Sequence, residues 1–213
     1  MCLPEEGFTP VRRFAWMIVS LLCACLLAGA ATPAPEVTIA EVKGGGFIVT
    51  SPVYTARIGA DGNLRGLAVN GVEFLDDRVT GSAGAAFFVE RPVPLPALTL
   101  DGLTLVATDG VYTARYEFYE GFITLTLRQT SAKGAAYTVV CAAQVAYAEN
   151  LAYAGLAAAP ATYDWPDVAM SVPTGEFLEL RGGSRIWGQA LGRQVWERSD
   201  IAPNKDYTLL LVP

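Results

Sequence analysis

Between Phe47 and Leu75 the chain reads FIVTSPVYTARIGADGNLRGLAVNGVEFL, three alternating runs separated by two tight reversals. Asn70-Gly71 stands between Val69 and Val72. A two-residue type I′ hairpin needs positive φ at both central residues, and Asn-Gly supplies it with the least steric cost. So short a loop fixes register: Val69 faces Val72, Leu67 faces Phe74, and all four share one face. The Ala60-Asp61-Gly62-Asn63 cluster makes the reversal before it. A slip of one residue would turn every one of these apolar side chains to water. The segment therefore specifies an antiparallel meander.

The same grammar runs through the rest of the chain. Runs rich in Val, Thr, Tyr, Phe and Leu recur between Gly, Asp, Asn and Pro, the signature of short strands. Strands are expected near 37–42, 46–50, 53–58, 64–69, 72–75, 85–90, 97–100, 103–107, 111–119, 122–130, 136–148, 176–180, 184–189 and 207–212. In the hairpin Val111–Thr130, a turn at Glu120-Gly121 sets Tyr119 against Phe122, Phe118 against Ile123 and Tyr116 against Leu125. Tyr112, Ala114, Tyr116, Phe118, Ile123, Leu125 and Leu127 then share the buried face, while Thr113, Arg115, Glu117, Thr124, Thr126 and Arg128 face water. Tyr119 and Phe122 point outward with the second set. The one helical candidate, Asn150–Ala159, is alanine-rich but interrupted by Gly155 and stopped by Pro160, so a short helix or a loop both fit. Arg91–Pro96 and Ala159–Pro173 read as irregular connections, because proline is kept out of central strands. Many strands, hairpin connectivity and no second domain predict an all-β fold, a two-sheet antiparallel β-sandwich over 46–213.

Residues 1–30 read as an export leader and 31–45 as a linker. Arg12-Arg13 is a basic n-region, Phe14–Leu27 an apolar run and Ala28-Gly29-Ala30 a cleavage site. Leu22-Cys23-Ala24-Cys25 is close to a lipobox, which would make Cys25 a lipidated N-terminus. Phe14–Ala31 is also long enough to span a bilayer if left uncleaved. All three fates put the body outside the cytoplasm, secreted, periplasmic or surface-anchored, and the leader is its only expected membrane contact. The net charge of −6 argues against nucleic acid held by phosphate neutralisation. Of the 4 cysteines only Cys141 lies past the leader, so no internal disulfide forms there. Cys141 sits in a run apolar on both faces, which marks a buried thiol and not a nucleophile.

The chain contains 0 histidines. That removes the usual general base, the commonest zinc ligand and any Ser-His-Asp or Cys-His arrangement. Gly44–Gly46 and Gly182-Gly183 lack the lysine and helix of a phosphate loop. Asp76-Asp77, Asp164 and Asp167 are the carboxylates from which a glycosidase pair would come. Asp164-Trp165-Pro166-Asp167 offers oxygen ligands for calcium but lacks the alternating acidic loop of a calcium hand; no cofactor is expected. Sugar recognition suits the composition better, since aromatic rings stack on pyranose faces while Arg, Asp and Gln bond hydroxyls. The candidate carbohydrate-binding residues are Trp165, Asp164, Asp167, Arg185, Trp187, Gln189 and Trp196. Arg185 and Trp187 share one face of an alternating strand. Each tryptophan also has a plain alternative as core filling.

Taken in succession, TSPVYTARIGADGNLRGLAVNGVEFL, GAAFF and VYTARYEFYEGFITLTLRQTS resemble the N-terminal half of galactose-mutarotase-like β-supersandwiches. The likeness covers about residues 46–145. Such domains occur in aldose epimerases and in secreted polysaccharide lyases and glycoside hydrolases, so the resemblance implies the fold and a carbohydrate context. Epimerases of this fold work with histidines and a glutamate. With no histidine here, and a shorter body, the epimerase residues have no counterpart. Three readings follow: an exported sandwich that binds carbohydrate without catalysis, a lyase or hydrolase on the same scaffold, or an envelope structural or assembly protein with no small ligand. Open sheet edges would also allow a dimer, and the oligomeric state is left open.

Overall fold

Period-two alternation becomes strand throughout the computed structural model, which describes residues 36–75, 84–142, 146–150, 167–188 and 194–213. Seventeen strands and no helix occur among the described residues. In chain order they are β1 (Thr38–Glu41), β2 (Phe47–Thr50), β3 (Tyr54–Ile58), β4 (Leu64–Val69), β5 (Val72–Glu73) and β6 (Ala85–Phe88). Next come β7 (Ala97–Asp101), β8 (Thr104–Thr108), β9 (Tyr112–Phe118), β10 (Ile123–Gln129), β11 (Ala135–Val140) and β12 (Ala146–Asn150). The last are β13 (Val168–Ser171), β14 (Phe177–Arg181), β15 (Arg185–Gly188), β16 (Gln194–Ile201) and β17 (Asp206–Val212). Every pairing is antiparallel.

Two sheets result. A 9-stranded sheet runs β1-β2-β3-β4-β6-β11-β16-β15, with β5 hung on β4, and an 8-stranded sheet runs β12-β13-β14-β17-β10-β9-β8-β7. The expected all-β, two-sheet architecture is the one observed. One core fills the space between the sheets. Val49, Leu64, Leu67, Phe74, Phe87, Tyr137 and Trp196 line it from the first, and Leu105, Tyr116, Phe118, Ile123, Leu125 and Leu209 from the second.

The two well-specified turns fall where the residues place them. Asn70 and Gly71 take φ of 48° and 84°, and Val69 pairs with Val72. The Phe74 amide donates to Leu67 O at 2.8 Å, and Leu67, Val69 and Phe74 are buried together. A Cβ at Gly71 would meet nothing within 4 Å, so Gly71→Ala carries left-handed strain without a clash. That substitution is expected to cost about 1 kcal/mol, read as a lower urea midpoint with an unchanged slope. In the second hairpin Phe118 pairs with Ile123 and Tyr116 with Leu125, and the Tyr119 amide donates to Phe122 O at 3.0 Å. All seven residues expected on its inner face are buried.

Gly62, at φ 73° in the β3–β4 turn, reaches across the core. The Tyr116 hydroxyl donates to its carbonyl at 3.1 Å and lies 3.4 Å from the Tyr137 hydroxyl. Asp61 O accepts from the Leu95 amide at 2.7 Å, and Asn63 Nδ2 donates to Val93 O at 3.1 Å. The proline-rich Arg91–Pro96 segment is thus an irregular connection pinned to this turn, with Leu95 buried beneath it.

Three expectations need correction. The run 136–148, expected as one strand, is two: β11 lies in the first sheet and β12 in the second, so the chain changes sheet between them. Apolar residues on both faces gave that run no period with which to mark the crossing. Residues 168–171, read inside an irregular connection, form β13, an interior strand of the second sheet. Residues 194–201, to which no strand was assigned, form β16, the 8-residue neighbour of β11 and β15. β1 matches the strand expected near 37–42, within the stretch read as linker, and is the outermost strand of its sheet. Asn150 ends β12, and the remainder of the helical candidate falls outside the described residues, as do the leader, Cys25 and Asp76-Asp77.

Candidate functional site

Four neighbouring strands of the first sheet, β6, β11, β16 and β15, turn their core-facing side chains, among them Phe87, Tyr137, Val139 and Trp196, inward. The pleat sends the alternate residues to the opposite face. Register then builds a line across the strands: Ala86 pairs with Thr138, Thr138 with Glu197, and Glu197 with Arg185. Phe88 pairs with Ala136 on one side of that line, and Val140 with Val195 on the other. A groove of about 510 Å³ lies over this face, bordered by Phe88, Thr138, Arg185, Glu197, Ser199 and Asp200.

Glu197 is the electrostatic centre of the groove. Its side chain is only 4% exposed, and Oε1 accepts from Arg185 Nε at 2.8 Å and from Nη2 at 2.7 Å. A carboxylate taken out of water needs such a partner, and the guanidinium fork meets it in a fixed orientation. Arg185 itself is half-exposed. Phe88 is 36% exposed and presents an aromatic ring at the border. Thr138 and Ser199 add hydroxyls, and the Thr138 hydroxyl reaches Ala86 O at 3.5 Å. Asp200, at φ 56°, also lines the groove. The arrangement offers one aromatic face, one cation, carboxylates and hydroxyls in a wide, shallow depression.

Of the residues singled out from sequence, Arg185 stands in this groove. Trp187 is placed on β15 opposite Val195 by its backbone. Asp164, Trp165 and Gln189 fall outside the described residues. Asp167 turns its carboxylate to the chain itself, with Oδ1 accepting from the Gly182 amide at 2.8 Å. Trp196 is corrected to a core residue. It is 0% exposed because β16 alternation directs it inward between Val195 and Glu197, and the missing side chain of Gly183 makes room for its indole. Arg198 also faces away from the groove, 4.6 Å above the Tyr207 ring, donating toward the carbonyls of Gly182 and Gly183. Tyr119 and Phe122 form a separate outward pair, 43% and 37% exposed, stacked at 4.4 Å.

Phe88, Thr138, Glu197 and Ser199 were missed from sequence. Their signal was the pairing Arg185–Glu197, visible only once β15 and β16 are joined as a hairpin. Among the described residues no group of three His, Cys, Asp or Glu is placed to hold a metal ion. Cys141 is buried, and burial lifts its thiol from the ordinary 9.0 to about 12, which leaves it protonated and unreactive.

No protein-family model and no curated protein matches the chain. Solved structures do match it. HI1317 aligns with a TM-score of 0.50 at 10% identity, over 83% of this chain and 99% of that one. A galactose mutarotase related enzyme from Lactobacillus acidophilus aligns with a TM-score of 0.50 at 8% identity, over 78% and 96%. YidC from Thermotoga maritima aligns with a TM-score of 0.49 at 11% identity, over 80% of this chain and 52% of that one. At such identities the first two show a shared fold. The chain folds as a mutarotase-like β-sandwich.

Proposed function

We propose that the chain is an exported carbohydrate-binding protein whose groove over β6, β11, β16 and β15 holds a glycan without cleaving it. One observation carries the reading: the exposed Phe88 ring borders the same groove as the polar line Thr138–Glu197–Arg185. Sugars have apolar C–H faces and polar rims, and a site that binds them pairs a ring with fixed donors and acceptors. The Arg185–Glu197 pair supplies both in one rigid unit. The fold shared with a mutarotase-related enzyme lends support by analogy alone. Absence of catalysis is argued from the residues: the chain has 0 histidines, and the groove's buried carboxylate is already committed to Arg185. The basic and apolar runs of residues 1–30 support export.

The test is retardation of the full chain in gels cast with plant, algal and microbial polysaccharides, followed by titration calorimetry with oligosaccharides of whichever retards it. Phe88→Ala and Arg185→Ala are each expected to weaken binding roughly tenfold or more, about 1.4 kcal/mol. Phe88→Ala should move the urea midpoint little, because that side chain is exposed, whereas Arg185→Ala also strands the buried Glu197 carboxylate and should lower the midpoint, so its binding is read on the folded fraction. Unretarded migration in every polysaccharide, or binding untouched by both substitutions, would remove this reading.

A further inference from the structure

The groove over β6, β11, β16 and β15 continues past the end of β6. Val89 lines it and also lines a second depression of about 330 Å³, which Glu90, Arg91 and Lys133 border. Gly134, next to Lys133 in the chain, lines the first. Phe88 pairs with Ala136 on β11 and bridges Pro92, so residues 89–91 make a tight loop at the end of β6. Lys133 stands two residues before β11, at the same end of the neighbouring strand.

Both cations ride on fixed backbone. After Arg91, the Val93 amide donates to Phe87 O at 2.8 Å and Val93 O accepts from Asn63 Nδ2 at 3.1 Å. Prolines at 92 and 94 limit φ on either side of that anchor. The Lys133 amide donates to Ser131 Oγ at 3.1 Å, and its carbonyl accepts from Nε2 of the fully buried Gln129 at 3.3 Å. Their side chains, by contrast, are uncommitted. Arg57, Arg65, Arg115, Arg128, Arg181 and Arg185 each meet a carboxylate, and Arg198 lies over the Tyr207 ring. Among the described residues Arg91 has neither kind of partner, and no ion pair joins Arg91 or Lys133 to Glu90.

The two depressions differ in sign. Arg91 and Lys133 against Glu90 leave the second at +1, on a chain whose net charge is −6. Arg185 against Glu197 and Asp200 leaves the first at −1. We infer, resting on the carbohydrate reading of the groove, that its glycan carries an acidic sugar over Arg91 and Lys133 beside a neutral sugar against Phe88. A guanidinium meets a carboxylate with two parallel hydrogen bonds, and the ammonium adds a point charge. An acid placed one sugar further along would face Asp200 and Glu197 and be repelled. The class favoured is thus a polysaccharide whose uronates are separated by neutral sugars, over one acidic at every residue.

The experiment titrates the full chain with hyaluronan, whose uronates alternate with neutral sugars, with the methyl ester of the same polysaccharide, and with polygalacturonate. Exposed ion pairs contribute modestly, so hyaluronan should bind about five- to tenfold tighter than its ester. It should also bind tighter than polygalacturonate. Arg91→Ala and Lys133→Ala should each cost hyaluronan about threefold, and together should erase its advantage over the ester. Lys43→Ala removes the same charge from the β1–β2 turn at the far edge of the sheet and should leave that advantage intact. All three side chains are exposed, so the variants should fold as the parent does. Phe88→Ala should weaken hyaluronan and ester alike, which reads the groove independently of the acid subsite. Equal binding of hyaluronan and ester, an advantage that survives the double variant, or its loss in Lys43→Ala would each overturn the acid subsite. So would polygalacturonate binding as tightly as hyaluronan, or none of the three binding. In those cases the groove reading still stands or falls on neutral polysaccharides and Phe88→Ala.

Discussion

Trp196→Ala is expected to lower the stability of the fold by about 3–5 kcal/mol, the loss seen when a large buried aromatic is truncated. Trp196 is 0% exposed and among the largest fully buried side chains of the core. Its indole occupies the volume that Gly183 leaves free, and a Cβ at 183 would overlap it. β16 hydrogen-bonds β11 on one side and β15 on the other, so a void there loosens the strands that carry the groove. A domain of ordinary stability has about 5–15 kcal/mol in total. The variant should therefore melt roughly 6–20 °C lower. Trp196→Phe, which keeps most of the volume, should lose less than half as much. The contrast with Phe88→Ala separates a core role from a surface role: the exposed ring should cost little stability and much binding, the buried one much stability. A Trp196→Ala chain that melts with the parent would mean that β16 runs with its faces exchanged.

How much of this was open to reading depends on where the constraint sits. The two hairpins at Asn70-Gly71 and Glu120-Gly121 were legible to the residue, because a two-residue loop and one solvated face fix register within a short stretch. β13, β16 and the break between β11 and β12 lacked that information. β16 has Val195, Trp196 and Glu197 buried in succession, so its pattern shows no alternation of apolar and polar. Arg185 standing opposite helps Glu197 tolerate burial, and that is a fact of pairing and not of the strand itself. β13 lies between Pro166 and Pro173, whose presence argued against a central strand, yet both prolines fall just outside it.

The groove follows the same division. Arg185 was recognisable as a candidate because it alternates along its own strand. Its partner was not, since five residues separate β15 from β16, more than the two-residue turn that would fix register. Trp196 was selected for its chemistry, but a side chain's type does not tell which face of a strand it occupies. The same weakness touches Asp167, whose carboxylate holds the Gly182 amide. Residues that brace a turn and residues that meet a ligand look alike in sequence, and burial and hydrogen bonding separate them.

Between pH 9 and 12 the chain should lose stability far faster than a typical sandwich, because three fully buried acids keep their protons only while it is folded. Burial raises the Cys141 thiol from 9.0 to about 12. Burial also lifts the Tyr116 phenol above its ordinary 10.0, and the Tyr137 phenol well above it, with the neighbouring phenol adding to the rise at Tyr137. In the unfolded chain all three would ionise near their ordinary values, so above pH 10 the unfolded state binds fewer protons than the folded one. The sign follows from linkage: stability is untouched below about pH 9 and falls as pH rises toward the folded values. Each group contributes about 1.4 kcal/mol per pH unit, so the three together with Tyr54, whose buried phenol is raised too, give a slope of about 5 kcal/mol per unit. One to three units of that slope exhaust an ordinary domain's stability. Urea midpoints measured at successive alkaline pH should trace it. Phenolate absorbance should show Tyr54, whose phenol is raised by burial as well, ionising with Tyr116 and Tyr137 only as the fold is lost. Tyr116→Phe with Tyr137→Phe removes two of these four protons at the modest cost of the hydroxyl contact to Gly62 O. The double variant should be slightly less stable at neutral pH and should cut the alkaline slope roughly in half, with Cys141 and Tyr54 left to carry it. An unchanged slope in that variant would show that the alkaline loss arises elsewhere, and phenolate forming while the fold persists would show that the Tyr116–Tyr137 pair is reached by water.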